Sequence, residues 1–160
     1  MRGASVRPAR ETDLQAFLEL GEAMGNTPGV WKRNPQSDFH DLLSKMKEGK
    51  KIFLLCSLGQ GAIAGFAIMH LFRRLDPSGF DPKSCTVGVA VHPNYRRQGI
   101  GTKLIQYGLM EAKVRGIETA YTSTGIENIG MQKLAEKLGF TRYAVPEKDG
   151  TTFPRYKRQI

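Results

Sequence analysis

Two apolar runs, residues 52–58 and 62–71, are separated only by Gly59-Gln60-Gly61. A short glycine-rich gap between two runs of strand length is the pattern of an antiparallel hairpin with a tight turn. That pair commits the middle of the chain to a β-sheet, and the flanking segments then fall into a readable order. Residues 6–9 form a short strand candidate. Thr12 is placed to cap a first helix whose Leu14, Phe17, Leu18 and Gly21 recur at helical spacing. A turn at Asn26-Thr27-Pro28-Gly29 precedes a second amphipathic helix over residues 37–47, carrying Phe39, Leu42, Leu43 and Met46 on one side. After the hairpin comes a loop with Pro77, Gly79 and Pro82, then a strand over 86–91. A helix over 102–115 and a strand over 118–124 follow. Asn128 opens another helix, which ends at Gly139 as a left-handed cap. Two strands, 140–145 and 153–158, flank a Lys148-Asp149-Gly150 turn. The order βααβββαβαββ predicts an α/β domain with a mixed sheet.

At 160 residues the chain has the size of one domain. Its longest nearly apolar stretch, 62–69, is far short of the roughly 18 residues a membrane span requires. Charged residues near the start leave no hydrophobic signal segment, so a cytoplasmic protein is expected. Cys56 and Cys85 stand far apart, and His40, His70 and His92 are scattered, so no metal site is expected. The net charge is +9, and the excess is uneven: residues 1–80 hold eleven basic and eight acidic side chains, residues 81–160 thirteen and seven. Such a field concentrates anions without choosing among nucleic acid, membrane and phosphorylated ligand. Arg73-Arg74, Arg155, Lys157 and Arg158 are available for nucleic-acid phosphates, but no stacking motif accompanies them.

The chemistry gathers in Arg96-Arg97-Gln98-Gly99-Ile100-Gly101-Thr102, a basic glycine-bearing loop between a strand and a helix. Glycine opens backbone conformations closed to other residues and admits a ligand close to the main chain. The start of the helix adds unpaired N–H groups and the positive end of its dipole, so phosphate suits the loop. A P-loop is excluded, because Gly99 and Gly101 are one residue apart. A dinucleotide fingerprint is excluded because its third glycine position is Leu104 and the loop does not directly follow its strand.

The stretch Val89-Ala90-Val91-His92-Pro93-Asn94-Tyr95-Arg96-Arg97-Gln98-Gly99-Ile100-Gly101 resembles the cofactor segment of the GNAT superfamily of N-acetyltransferases. Val6-Arg7-Pro8-Ala9 with Asp13-Leu14, then Asn128, and Lys137-Leu138-Gly139-Phe140 are similar to the same family in the expected order. The resemblance spans nearly the whole chain. It implies the GNAT fold, a mixed, mostly antiparallel sheet flanked by helices with splayed central strands, and acetyl-CoA as acyl donor. By the same resemblance Val89, Ala90 and Val91 line the pantetheine cleft, Arg96, Arg97, Gln98, Gly99, Ile100, Gly101 and Thr102 hold the diphosphate, and Asn128 contacts the pantetheine region. The implied reaction is direct attack of a neutral primary amine on the thioester, with the Val91 amide polarising its carbonyl. Family members often dimerise.

One position departs from the pattern. Where many members carry a tyrosine that protonates the departing sulfur, this chain has Ala135, and residues 85–91 hold no glutamate to act as base. Glu127, Tyr121, Tyr143 or an ordered water are substitutes, and no catalytic side chain is assigned. The same absence keeps open a second reading, an acyl-CoA-binding sensor without turnover. For the acceptor, a small molecule or a protein amine, the resemblance points to residues 25–36 and 146–154 as walls, with Trp31 and Phe153 among them.

Overall fold

A computed structural model describes residues 3–25, 35–72, 81–143 and 154–160. The strands are β1 (Ser5–Pro8), β2 (Lys51–Gly59), β3 (Ala62–Phe72), β4 (Ser84–Val91), β5 (Thr119–Ser123), β6 (Thr141–Tyr143) and β7 (Arg155–Gln159). The helices are α1 (Leu14–Met24), α2 (Pro35–Lys47), α3 (Ile100–Val114) and α4 (Ile129–Lys137). Their order is the one read from the sequence. All seven strands join one sheet in the order β1-β2-β3-β4-β5-β7-β6. Among the described residues β4 and β5 run parallel and the other neighbouring pairs antiparallel. The turn 148–150 and loop residues 73–80 lie outside the described residues.

The unbroken apolar character of β2 follows from its central place, covered on both faces. Ile52, Leu54 and Cys56 pack with Leu104, Ile105, Leu109 and Ala112 of α3 on one side. Phe53 and Leu55 pack with Phe17, Leu20, Phe39 and Leu43 of α1 and α2 on the other. Phe17 is the hub of that second core, its ring centroid 5.0 Å from Phe39, 5.8 Å from Phe53 and 5.3 Å from Phe66.

The start of α1 differs from the expectation at Thr12. A short 3-10 turn, Glu11–Asp13, precedes the helix, and Asp13 is the organising side chain. Its carboxylate accepts the Arg10 backbone N–H at 2.8 Å and both Arg7 guanidinium nitrogens, at 2.8 and 2.7 Å. Thr12 cannot win against a charged group that reaches a cation on β1. The Arg7 hydrogen bonds hold the Asp13 carboxyl below its ordinary range; burial opposes them, and the Arg10 amide adds to them. A depressed folded-state value means that this stabilisation is fully present above the unfolded carboxyl's range and is lost as pH falls through the folded value. Asp13→Asn is therefore expected to cost about 2–3 kcal/mol at neutral pH. In urea unfolding across pH 2–7 the variant should show a flatter acid limb than the parent; parallel acid limbs would contradict this assignment.

The other helix boundaries follow their local chemistry. Helix α3 begins at Ile100, two residues before the sequence expectation, because Gly99 caps it in the left-handed conformation (φ 78°). Gly139 ends α4 as expected, at φ 83°, with its N–H donating to Glu136 O and that of Phe140 to Ala135 O. Among the described residues no helix is long and apolar enough to cross a membrane.

Candidate active site

The site begins where β4 and β5 part. They pair at Ser84↔Thr119, Cys85↔Ala120 and Thr86↔Tyr121, and there the ladder stops. The next carbonyl, that of Val87, accepts the buried Thr122 hydroxyl at 2.9 Å, closing the crotch of the split. On its other edge β4 stays paired with β3 as far as Gly65↔Val91. The His92 N–H then donates to Ala64 O at 2.7 Å.

That last bond sets the alternation along the strand. The main-chain groups of Gly88, Ala90 and His92 turn toward β3, so those of Val89 and Val91 turn toward the gap. Arg96 Nε donates to the Val91 carbonyl at 3.2 Å. The N–H groups of Val89 and Val91 are left on the open edge beyond the end of the β4–β5 ladder. Ala90 instead packs its side chain in the core beneath α1 and α2.

After His92 the chain makes a 3-10 turn, Pro93–Tyr95, held by Asn94 N–H donating to His92 Nδ1 at 3.0 Å and Tyr95 N–H to His92 O at 2.9 Å. Arg97 (φ 64°) and Gly99 (φ 78°) both take left-handed backbone, which folds the basic loop tightly onto the helix start. The first intrahelical bond runs from Lys103 N–H to Gly99 O at 3.0 Å, and the cap supplies no side-chain acceptor. The N–H groups of Ile100, Gly101 and Thr102 are thus without a helical partner. Ile100 is buried and anchors the turn, while Arg96, Arg97, Gln98 and Gly99 are exposed around it. The result is a cluster of backbone donors at the positive end of a 15-residue helix, flanked by two guanidinium groups. It suits an anion such as a diphosphate.

Gly101 works differently from its neighbour. A Cβ there would lie 3.2 Å from Leu134 Cδ2 and 3.7 Å from Val91 Cγ2, so a side chain would press into the seam between α3, α4 and β4. A side chain at this position would therefore project inward, away from the exposed loop. Gly101 brings the helix start up to the end of β4. Gly65 does the same from the other side, where a Cβ would lie 2.5 Å from Ala90 O and 3.2 Å from Val91 Cα. The sequence reading passed over Gly65 and Thr122. A glycine inside an apolar strand is a legible sign of close backbone approach; no local signal marks Thr122.

Asn128 caps α4, its Oδ1 accepting Met131 N–H at 3.1 Å, which leaves its amide nitrogen to donate outward. Ile126 and Ile129 beside it are 58% and 53% exposed, an apolar rim on the same loop. Ala135 is buried among Leu138, Phe140 and Tyr156. Of the substitutes weighed for its missing hydroxyl, Glu127 is exposed, and Tyr121 donates its phenol to Asp81 Oδ2 at 3.2 Å. Burial, followed by Asp81, pushes the Tyr121 phenol up; burial does the same for Tyr143, with Arg155 opposing. Both phenols keep their protons at neutral pH. Burial pushes the Cys85 thiol up to about 12 and also raises that of Cys56, which disqualifies both as thiolate nucleophiles. Among the described residues no three His, Cys, Asp or Glu side chains are grouped to hold a metal. Trp31, Arg73, Arg74 and Phe153 lie outside the described residues.

Comparison with known proteins gives a consistent result. Residues 17–140 match the model of the Acetyltransferase (GNAT) family. An L-amino acid N-acyltransferase, MnaT of Escherichia coli K12, is 28% identical over 156 residues, 95% of this chain and 88% of that protein. The L-methionine sulfoximine/L-methionine sulfone acetyltransferase of Pseudomonas aeruginosa PAO1 is 26% identical over 159 residues, covering 96% and 89%. Among solved structures, yncA from Salmonella typhimurium, determined with its cofactor acetyl-CoA, superposes with a TM-score of 0.78 at 22% identity, covering 99% and 94% of the two chains.

Proposed function

Because the chain belongs to the GNAT acetyltransferase family, we propose that this acyl-CoA-dependent N-acetyltransferase moves the acetyl group of acetyl-CoA to a primary amine by direct attack on the thioester, within a single domain spanning residues 1–160. The observation that carries the reading is the split between β4 and β5, which leaves the N–H groups of Val89 and Val91 on an open edge beside the free amides at the start of α3. The donor set fits acetyl-CoA. Arg96, Arg97 and Gln98, with the amides of Gly99, Ile100, Gly101 and Thr102, hold the diphosphate. The edge formed by Val89 and Val91, with Ala90 between them turned toward β3, binds the amide-bearing pantetheine arm as an added strand would. Asn128 donates from the opposite wall, and Ile126 and Ile129 cover apolar parts of the arm. Acetyl-CoA supplies the activated acyl group.

The chain's own part is to position and polarise. A fixed Val91 N–H at the carbonyl oxygen offsets the charge that develops there, and a single donor of this kind contributes about 3 kcal/mol to the barrier. Arg96 braces that donor by occupying the carbonyl of the same residue. With Ala135 in place of a tyrosine, proton delivery to the sulfur falls to solvent or to a group outside the α4 position; a general acid contributes about 10²- to 10⁴-fold, so turnover is slowed without being lost.

The test is an acceptor screen with acetyl-CoA, reading thiol release and identifying products by mass spectrometry. N-acetylated products are expected. Saturable acetyl-CoA binding with no product from any amine would overturn transfer in favour of a sensor, and O-acetylated products would overturn the amine assignment.

A further inference from the structure

The face of the sheet opposite α3 runs past the split between β4 and β5. Ala120, Thr122 and Tyr156 are buried on the α3 face, so strand alternation sends Tyr121, Ser123, Arg155 and Lys157 to the other face. The register aligns Tyr121 with Lys157, and Ser123 with Arg155; Arg155 in turn pairs with Tyr143 on β6. The Tyr121 and Tyr143 rings meet edge-on at 6.1 Å, and Lys157 Nζ stands 5.5 Å from the Tyr143 centroid. On β4, Gly88 shares this face and is exposed; a Cβ there would meet only Ile68 O, at 3.9 Å, so open space lies above it.

Resting on the N-acetyltransferase reading above, we propose that the acceptor is a small primary amine that also carries a carboxylate, recognised by Arg155 and Lys157 at this end of the sheet. Both side chains are exposed, and among the described residues neither has a carboxylate partner. Asp81 already accepts the Tyr121 hydroxyl. Two cations on alternate residues of one strand repel each other, and a bound carboxylate relieves that repulsion. An arginine fork also fits its two oxygens. The Tyr121 ring, on β5, offers an apolar shelf between the cations on β7 and Gly88 on β4, and Tyr143 of β6 meets its edge.

Geometry limits the size of the molecule. Two strand spacings, about 10 Å, separate the backbone of Arg155 from that of β4 before the splay is added. The arginine side chain spans much of that distance, so amine and carboxylate must lie a few ångströms apart, as they do in an amino acid. A cationic amine without an acidic group meets two like charges here, and the Asp81 carboxylate is already engaged by the Tyr121 hydroxyl.

The experiment compares free L-amino acids with their carboxamides and with a tripeptide bearing the same first residue, at saturating acetyl-CoA, for the parent, Arg155→Gln and Arg155→Gln/Lys157→Gln. The parent is expected to favour the free amino acid over its amide at least tenfold in kcat/KM, and to acetylate the tripeptide no better than the amide. Arg155→Gln should remove most of that preference through KM, and the double variant all of it, with the KM for acetyl-CoA and the circular dichroism unchanged. Equal use of acid and amide by the parent, selectivity kept by the double variant, or a tripeptide matching the free amino acid would each overturn the proposal while leaving amine acetylation standing. Failure of every amine would instead overturn both readings.

Discussion

Gly99→Asp is expected to weaken acetyl-CoA binding on the order of 100-fold, about 2.7 kcal/mol, while the protein stays folded. Position 99 caps α3 at φ 78° and is exposed, with nothing within 4 Å of where a Cβ would sit. Space is therefore no obstacle. Asp is one of the few residues that tolerates left-handed backbone, at a cost of roughly 1–2 kcal/mol. Its carboxylate would sit beside the N–H groups of Gly101 and Thr102, which now have no side-chain acceptor, and would stabilise the helix start by about 1 kcal/mol. The two effects on stability nearly cancel, whereas both effects on the ligand are adverse: the donors are occupied, and a fixed negative charge faces a diphosphate. Gly99→Ala carries the backbone strain without the charge and should lose far less affinity. Calorimetry with acetyl-CoA and thermal unfolding of both variants make the comparison. Retention of parental affinity by a folded Gly99→Asp protein would remove the start of α3 from the site.

Gly65→Ala should act on catalysis from β3, along the edge of β4 away from the split. The added methyl would lie 2.5 Å from Ala90 O and 3.2 Å from Val91 Cα, and both neighbours are main chain, so no flexible side chain can yield. Relief requires β3 and β4 to move apart where the Val91 N–H is presented. Overpacking of this kind costs about 1–3 kcal/mol of stability. Displacing one polarising donor costs about 10²–10³-fold in kcat. Because the proposed diphosphate site lies on the loop beyond, the acetyl-CoA dissociation constant should change much less than kcat. Steady-state kinetics paired with equilibrium binding separate the two quantities. A folded variant with unimpaired kcat would show that the end of β4 does not polarise the carbonyl.

The particular residues show where sequence reasoning reached and where it stopped. The hairpin at Gly59-Gln60-Gly61 and the left-handed end at Gly139 were legible because each depends on a few consecutive residues. The basic loop was legible for the same reason, and the resemblance carried by residues 89–101 implied the ligand proposed for it. Thr12 was misread because capping here depends on Arg7, a cation on another element that favours Asp13. Gly101 was read as open to the ligand because the inward direction of its Cβ depends on Leu134, which lies on α4. Arg155 and Lys157 were seen only as basic residues with a choice of polyanions. Their registration opposite Ser123 and Tyr121 places them on the face opposite α3, where the acceptor site is proposed.

The sequence by itself determined the order of strands and helices, the family and the basic glycine-bearing loop, because backbone propensity, hydrophobic period and glycine conformation are properties of neighbours along the chain. Only the tertiary structure decided that β4 and β5 part after Thr86 and Tyr121, that Thr122 closes the crotch, and which face carries Arg155 and Lys157. Those features depend on strand register and on contacts between residues more than 30 positions apart, set by the packing of both sheet faces at once.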